Sequence, residues 1–154
     1  MDHIAKIANY MITKVIKLDP DMDVYEAINM LLEFKISGAP VVKDDQLVGV
    51  LSEKDCLRIL ANGSFHDLPG GHVKDYMSIV VRTVNPETDI FAAADIFLQH
   101  NFRRLPVVKD NKLVGIISRH DILRAIQNES KKNPPADKDY GYITKQMKDS
   151  LSDK

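Results

Sequence analysis

The chain has a single cysteine, Cys56, in 154 residues, so no internal disulfide is open to it and its core rests on apolar packing. Net charge is nearly absent too: 21 basic residues face 22 acidic ones, for a formal charge of −1. Bulk attraction to nucleic acid or to an anionic membrane is excluded, and any anion site must be local. No apolar run reaches membrane-spanning length, and Met1-Asp2-His3-Ile4 lacks the basic and long apolar regions of a signal peptide. The expected location is a soluble, reducing compartment, the cytoplasm, with neither nucleic acid nor membrane as partner. A P-loop and a dinucleotide fingerprint are both missing. His66 and His72 fall in a linker without cysteine or carboxylate at a recognised metal spacing, and His100 and His120 have no evident nucleophile to serve. Cys56, beside Leu57, reads as a small core residue. These absences point away from an enzyme, with neither a catalytic nor a metal-binding set.

What is present is a repeat. Sliding the chain on itself by 66 residues pairs Tyr10-Met11 with Tyr76-Met77, Pro40-Val41-Val42 with Pro106-Val107-Val108, and Leu47-Val48-Gly49 with Leu113-Val114-Gly115. The same shift pairs Ser52 with Ser118 and Asp55 with Asp121, and no gap is needed from Tyr10 to Leu60. A gap-free match over prolines, glycines and turn acids marks duplicated structure. In each copy two β-branched runs flank a polar corner, Lys43-Asp44-Asp45-Gln46 or Lys109-Asp110-Asn111-Lys112, which is a hairpin signal.

Around each hairpin the pattern predicts helices. Asp23 and Glu26 form a capping-box pattern ahead of the stripe Val24, Ala27, Ile28, Leu31, Leu32. The second copy repeats the stripe as Ile90, Ala93, Ala94, Phe97, Leu98, but Ala92 replaces the reciprocal Glu, so this helix is expected to start less firmly. Short helices are expected over Glu53–Leu60 and Arg119–Ile126, a lead-in helix over Met1–Asn9, and a brief strand near Val15–Leu18. Each copy thus reads strand, helix, strand, strand, helix. The organisation is a first repeat over 7–62 with 1–6 as lead-in, a linker over 63–72, a second repeat over 73–127 and a charged tail over 128–154. Val73 matches Ile7 under the shift, so the linker's last turn and the first helix read as equivalent lead-ins. In the tail, Tyr140, Ile143, Met147 and Leu151 have helical spacing on a thin stripe, either a frayed terminal helix or a partner-docking one.

Two repeats of this order, each carrying a Pro-Val-Val, Leu-Val-Gly, Ser-x-x-Asp signature, resemble a pair of cystathionine-β-synthase (CBS) domains, the arrangement called a Bateman module. The resemblance covers Ile7 to Ile126. It implies an α/β fold of α+β type, two β-α-β-β-α repeats packed through their sheets into one module. It also implies clefts between the repeats that in many members bind adenosine-containing ligands, and a regulatory role beside an enzyme, channel or transporter. By resemblance the slot of the second repeat would be lined by Ile79, Val80, Phe102, Arg103, Leu105 and Pro106, and that of the first by Thr13, Lys14, Ile36, Ser37, Ala39 and Pro40.

The residues give an adenosine site its own physical basis. A carboxylate such as Asp121 or Asp55 accepts from a ribose diol, a helix start beside Ser118 or Ser52 suits phosphate, and apolar strand ends make a slot for a purine. Ser-x-x-Asp is equally an ordinary capping box, worth about 1 kcal/mol whether or not anything binds. The copies differ in charge: Arg103-Arg104 and Arg119-His120 in the second stand against Ser37-Gly38 and Glu53-Lys54 in the first. Arg103 or Arg119 on a phosphate would make the second repeat, with Ser118 and Asp121, the stronger site; otherwise these arginines are solvated loop residues or pair with tail acids. Two functions follow. One is a regulatory module sensing AMP, ADP, ATP or a relative and controlling an unidentified partner protein. The other is a ligand-free dimerisation or protein-interaction module of the same fold. In either case uncovered apolar helix stripes predict a homodimer.

Overall fold

In the computed structural model, which describes residues 4–63, 67–79 and 81–132, the repeated apolar words become two hairpins. Strand β1 (Gly38–Lys43) pairs antiparallel with β2 (Gln46–Ser52), and β3 (Arg104–Lys109) with β4 (Lys112–Ser118). Both turns are two residues long, Asp44-Asp45 and Asp110-Asn111, with φ between 50° and 64°. Asp and Asn tolerate this left-handed region, which matches the twist of paired strands. The four strands form one antiparallel sheet in the order β1-β2-β4-β3, joined at its centre by the single pair Gln46 and Lys112. Pro40 and Pro106 lie on the outer strands, where proline is tolerated.

The expected strand near Val15–Leu18 shrinks to a bridge. Leu18 N–H donates to Pro40 O at 2.9 Å and Val42 N–H to Leu18 O at 2.8 Å, with Val84 doing the same beside Val107. The helices are α1 (Val24–Glu33), α2 (Glu53–Asn62), α3 (Val73–Tyr76), α4 (Ile90–Gln99) and α5 (Arg119–Lys132), with a 3-10 turn over Ile7–Asn9. The capping expectation is reversed. Asp89 accepts from Ala92 N–H at 2.8 Å, whereas the Asp23 side chain caps nothing and Val24 N–H donates to Gly71 O instead. A backbone carbonyl from the linker has taken the place of the side-chain cap. Helix α5 also runs past Ile126 to Lys132, ending on basic residues that suit the negative end of a helix dipole. Met1–His3, His66 and tail positions Tyr140, Ile143, Met147 and Leu151 lie outside the described residues.

The lead-ins are exchanged between repeats. Ile7 is fully buried with Val84, Ala93, Leu105, Val107 and Ile117 of the second repeat, while Val73 is fully buried with Leu18, Ala27, Val41 and Leu51 of the first. Ion pairs repeat the exchange: Lys6 Nζ lies 2.6 Å from Glu87, and Lys74 Nζ 3.0 Å from Asp21, which Lys43 also approaches at 3.2 Å. The hydrogen bond from Lys74, then that from Lys43, holds the Asp21 carboxyl below its usual range, and Lys6 does the same for Glu87. After each lead-in the chain crosses an inner strand at a glycine. Ser78 bridges Val50 beside Gly49, and Ile12 bridges Ile116 beside Gly115. A Cβ at Gly49 would sit 2.8 Å from Ser78 O, and one at Gly115 2.9 Å from Ile12 O. The repeated glycine is therefore a crossing point.

Candidate functional site

Each inner strand ends in a serine that starts a helix. Ser52 N–H and Oγ–H donate to Asp55 Oδ2 at 3.0 and 2.9 Å, and Asp55 N–H donates back to Ser52 Oγ at 3.1 Å. Ser118 and Asp121 reproduce the box at 2.8, 2.9 and 3.1 Å. The capping role is thus filled in both copies, and it consumes one oxygen of each carboxylate. These are the two buried charged residues among the described ones, at 3% and 2% exposure.

The second oxygen separates the copies. Asp55 Oδ1 accepts from Ser78 Oγ–H at 3.1 Å, with Arg58 Nη1 more distant at 3.5 Å. Asp121 Oδ1 accepts directly from Arg124, whose guanidinium also donates to Tyr10 O at 3.4 Å. A neutral hydroxyl exchanges readily for a ligand hydroxyl, whereas a charge-assisted bond to a guanidinium is roughly twice as strong and resists exchange.

Between the repeats lies a cleft of about 660 Å³, within the size of small-molecule sites. Of the residues singled out from sequence, Ser37, Ala39, Pro40, Ser52 and Asp55 of the first repeat line it together with Phe102, Arg103, Leu105 and Pro106 of the second. This cleft is walled by both repeats and takes residues from both of the expected slots, because the outer strands of both hairpins reach it. Ser118, Arg119 and Asp121 are not on its wall. Arg119 instead donates from Nε to Phe102 O at 2.6 Å and from Nη2 to Asn101 Oδ1 at 3.3 Å, fixing the loop before β3. Thr13 and Lys14 are exposed off the wall, Ile36 packs on the first core, Ile79 is 75% exposed, and Val80 lies outside the described residues.

Sequence reasoning missed Ser78, Val81, Arg82, Val50 and Ile116 on the wall. Ser78 left no repeat signal because its counterpart is Ile12, and Arg82 likewise matches Ile16. Cys56, beside Asp55, is half-buried against the first core; burial, then Asp55 and Glu53, pushes its thiol up, away from nucleophilic use. Among the described residues no helix is long and apolar enough to cross a membrane.

Comparison with known proteins agrees with this architecture. A family model described as the CBS domain matches twice, at residues 7–62 and 73–128. The CBS domain-containing protein YhcV of Bacillus subtilis (strain 168) is 31% identical over 128 residues, covering 82% of this chain and 89% of its own. The inosine-5'-monophosphate dehydrogenase of Methanocaldococcus jannaschii is 34% identical over 79% of this chain but only 23% of that enzyme, so relatives of this unit also occur inside enzymes. Among solved structures, CBSX2 in complex with AMP superposes with a TM-score of 0.70 at 31% identity, covering 81% of this chain and 98% of that one. CBSX2 from Arabidopsis thaliana, at 29% identity, also gives 0.70. With the family model matched in both repeats and the sheet, exchanged lead-ins and shared cleft on hand, this chain belongs to the CBS domain family as a tandem pair, a Bateman module.

Proposed function

We propose that the chain is a regulatory module that holds an adenosine-containing ligand, AMP, ADP, ATP or a relative, in the cleft between its repeats and so controls a partner protein. The observation that carries this reading is the cleft itself: a buried, capped carboxylate whose outer oxygen accepts from the Ser78 hydroxyl at 3.1 Å, with Arg58 farther off at 3.5 Å, facing apolar strand ends. The AMP complex of CBSX2, a relative of the same fold, supports the choice of ligand. Ribose is assigned to Asp55 and Ser52 rather than to Asp121 and Ser118, because Arg124 already occupies the Asp121 oxygen. Ala39, Pro40, Leu105 and Pro106 form the purine slot, and a ligand touching both repeats sets their relative packing, which a partner reads.

Calorimetry with AMP on Asp55→Asn and Asp121→Asn tests the assignment. Asn caps a helix about as well as Asp, so folding is retained, while affinity falls about tenfold for Asp55→Asn and little for Asp121→Asn. Equal losses, or a larger one at Asp121, overturn it. A ligand at 100 times its dissociation constant adds about 2.7 kcal/mol of stability. A thermal-shift panel of AMP, ADP, ATP, S-adenosylmethionine and NADH with no stabilisation would leave the assembly reading in its place. That second reading rests on the uncovered helix faces. Leu98 is 86% and Leu32 72% exposed, and Phe91, Leu57, Leu60, Leu123 and Ile126 are exposed beside them. A homodimer that joins these faces is part of both readings.

A further inference from the structure

Helices α4 and α5 pack side by side and leave a second groove, of about 710 Å³, which meets the cleft only at Asn101. Its floor is Ala94, Phe97, Leu98, Ile122, Leu123 and Ile126, and His100 and Arg119 stand at one end. Leu98, Leu123 and Ile126 are exposed among the described residues, a contiguous apolar strip of the kind that marks a binding surface. The strip is bounded by α4, whose ten residues are about 15 Å long. Helix α5 runs out of the groove and ends at Lys132, and 22 more residues follow it in the chain. Pro134 and Pro135 come first and stop the helix. Beyond them Tyr140, Ile143, Met147 and Leu151 fall on one helical stripe, and from Tyr140 to Leu151 a helix spans about 16 Å, nearly the length of α4. A segment so short, with Gly141 inside it, is a marginal helix in water. It needs an apolar surface to lie on.

We infer that residues 137–151 of the chain's own tail lie as a helix in the groove between α4 and α5, antiparallel to α5, and compete there with a second copy of the chain. The connection left between the two helices, Asn133 to Ala136, is four residues long, within the range that joins antiparallel neighbours. That length sets the register: Ile143 comes beside Ile126, Met147 beside Ile122 and Leu123, and Leu151 to the Arg119 end of the groove. Charge agrees with this direction. Asp137 and Asp139 come to Lys131 and Lys132, while Asp149 and Asp153 come to Arg119 and His120. The tether decides between the tail and a second copy as the occupant. A short connection holds the tail at an effective concentration of about a millimolar, well above the micromolar level of a second copy. A second copy that reaches Leu98 must therefore displace the tail, which makes the tail a regulator of the homodimer. None of this depends on the adenosine reading.

The test places Leu123→Cys and Met147→Cys together in the full chain, with Cys56→Ala so that these are its only two thiols. Mild oxidation is expected to join them within one chain in most molecules, at a rate independent of protein concentration, read by gel mobility and mass. Adding Ile143→Asp should slow the reaction by about tenfold or more, the worth of one buried apolar side chain, whereas Lys145→Gln, on the opposite side of the tail helix, should leave it unchanged. A disulfide formed mainly between chains puts a second copy's tail in the groove and overturns the inference. So does the absence of a disulfide, or a rate that Ile143→Asp does not change, which would mean chance encounters of an undocked tail. Sedimentation of Ile143→Asp in the otherwise unaltered chain tests the competition: its equilibrium should move toward dimer relative to the parent. A shift toward monomer, or none, overturns the competition. Neither measurement involves the cleft between the repeats, so failure here leaves the adenosine reading standing.

Discussion

Replacing Gly49 by alanine adds one methyl group at the place where the first repeat meets the segment leading into the second. The new Cβ would stand 2.7 Å from Met77 Sδ and 2.8 Å from Ser78 O. The thioether is flexible and can turn away, but the carbonyl is backbone and must retreat by roughly half an ångström to reach ordinary contact. That carbonyl accepts from Val50 N–H at 3.0 Å, and Ser78 N–H donates to Val50 O at 2.9 Å. Overpacking costs about 1 to 3 kcal/mol, and each weakened backbone bond up to about 1 kcal/mol net. The expected destabilisation is therefore about 2 to 4 kcal/mol, a fall in melting temperature on the order of 10 °C for a chain of this size. Because Ser78 also holds the outer oxygen of Asp55, AMP affinity should fall with it. Gly70→Ala is the control: nothing lies within 4 Å of its Cβ position, so it should stay within about 0.5 kcal/mol of the parent. Scanning calorimetry that finds Gly49→Ala within a degree of the parent would refute the close-crossing argument.

Three further outcomes are expected. Fragments 1–63 and 67–154 should each fail to unfold cooperatively alone and should recover a cooperative transition on mixing, because Ile7 and Val73 each complete the other fragment's core; independent cooperative melting of either fragment contradicts this. Leu98→Asp should turn a dimer into a monomer by sedimentation with little change in stability, since Leu98 is uncovered within the chain; a parent chain that sediments as a monomer across the micromolar range removes the claim. The Asp21 carboxyl is depressed by Lys74 and Lys43, so its contribution is fully present above the unfolded carboxylate range near 4 and is lost as pH falls through the lower folded value. Asp21→Asn should then melt slightly below the parent at pH 7 in low salt, and the two should converge in strong acid; a gap that persists there would argue against the ion pair.

The sequence by itself determined the local and repeated features of this protein. Turn acids at Asp44-Asp45 and Asp110-Asn111, β-branched runs on either side, and the Ser-x-x-Asp boxes act over a few residues, so each could be read without knowing the fold. Duplication then doubled every signal. What the tertiary structure decided were contacts between segments far apart in the chain. Ile7 and Val73 matched each other under the shift, but only packing sent each to the opposite repeat's core. Asp23 had the residues of a cap, yet Gly71 O reached its helix start first. For the site, arginines that precede and follow Ser118 and Asp121 in sequence favoured the second repeat. In space, Arg124 closes off Asp121 and Arg119 pins a loop, while Arg103 and Arg104 face the same cleft as Asp55. Charge along the chain does not say which carboxylate a guanidinium will meet, because long side chains choose partners by proximity in the fold. Ser78, matched by Ile12 and so without a repeat signal, was visible only once the segment after α3 had been laid across β2.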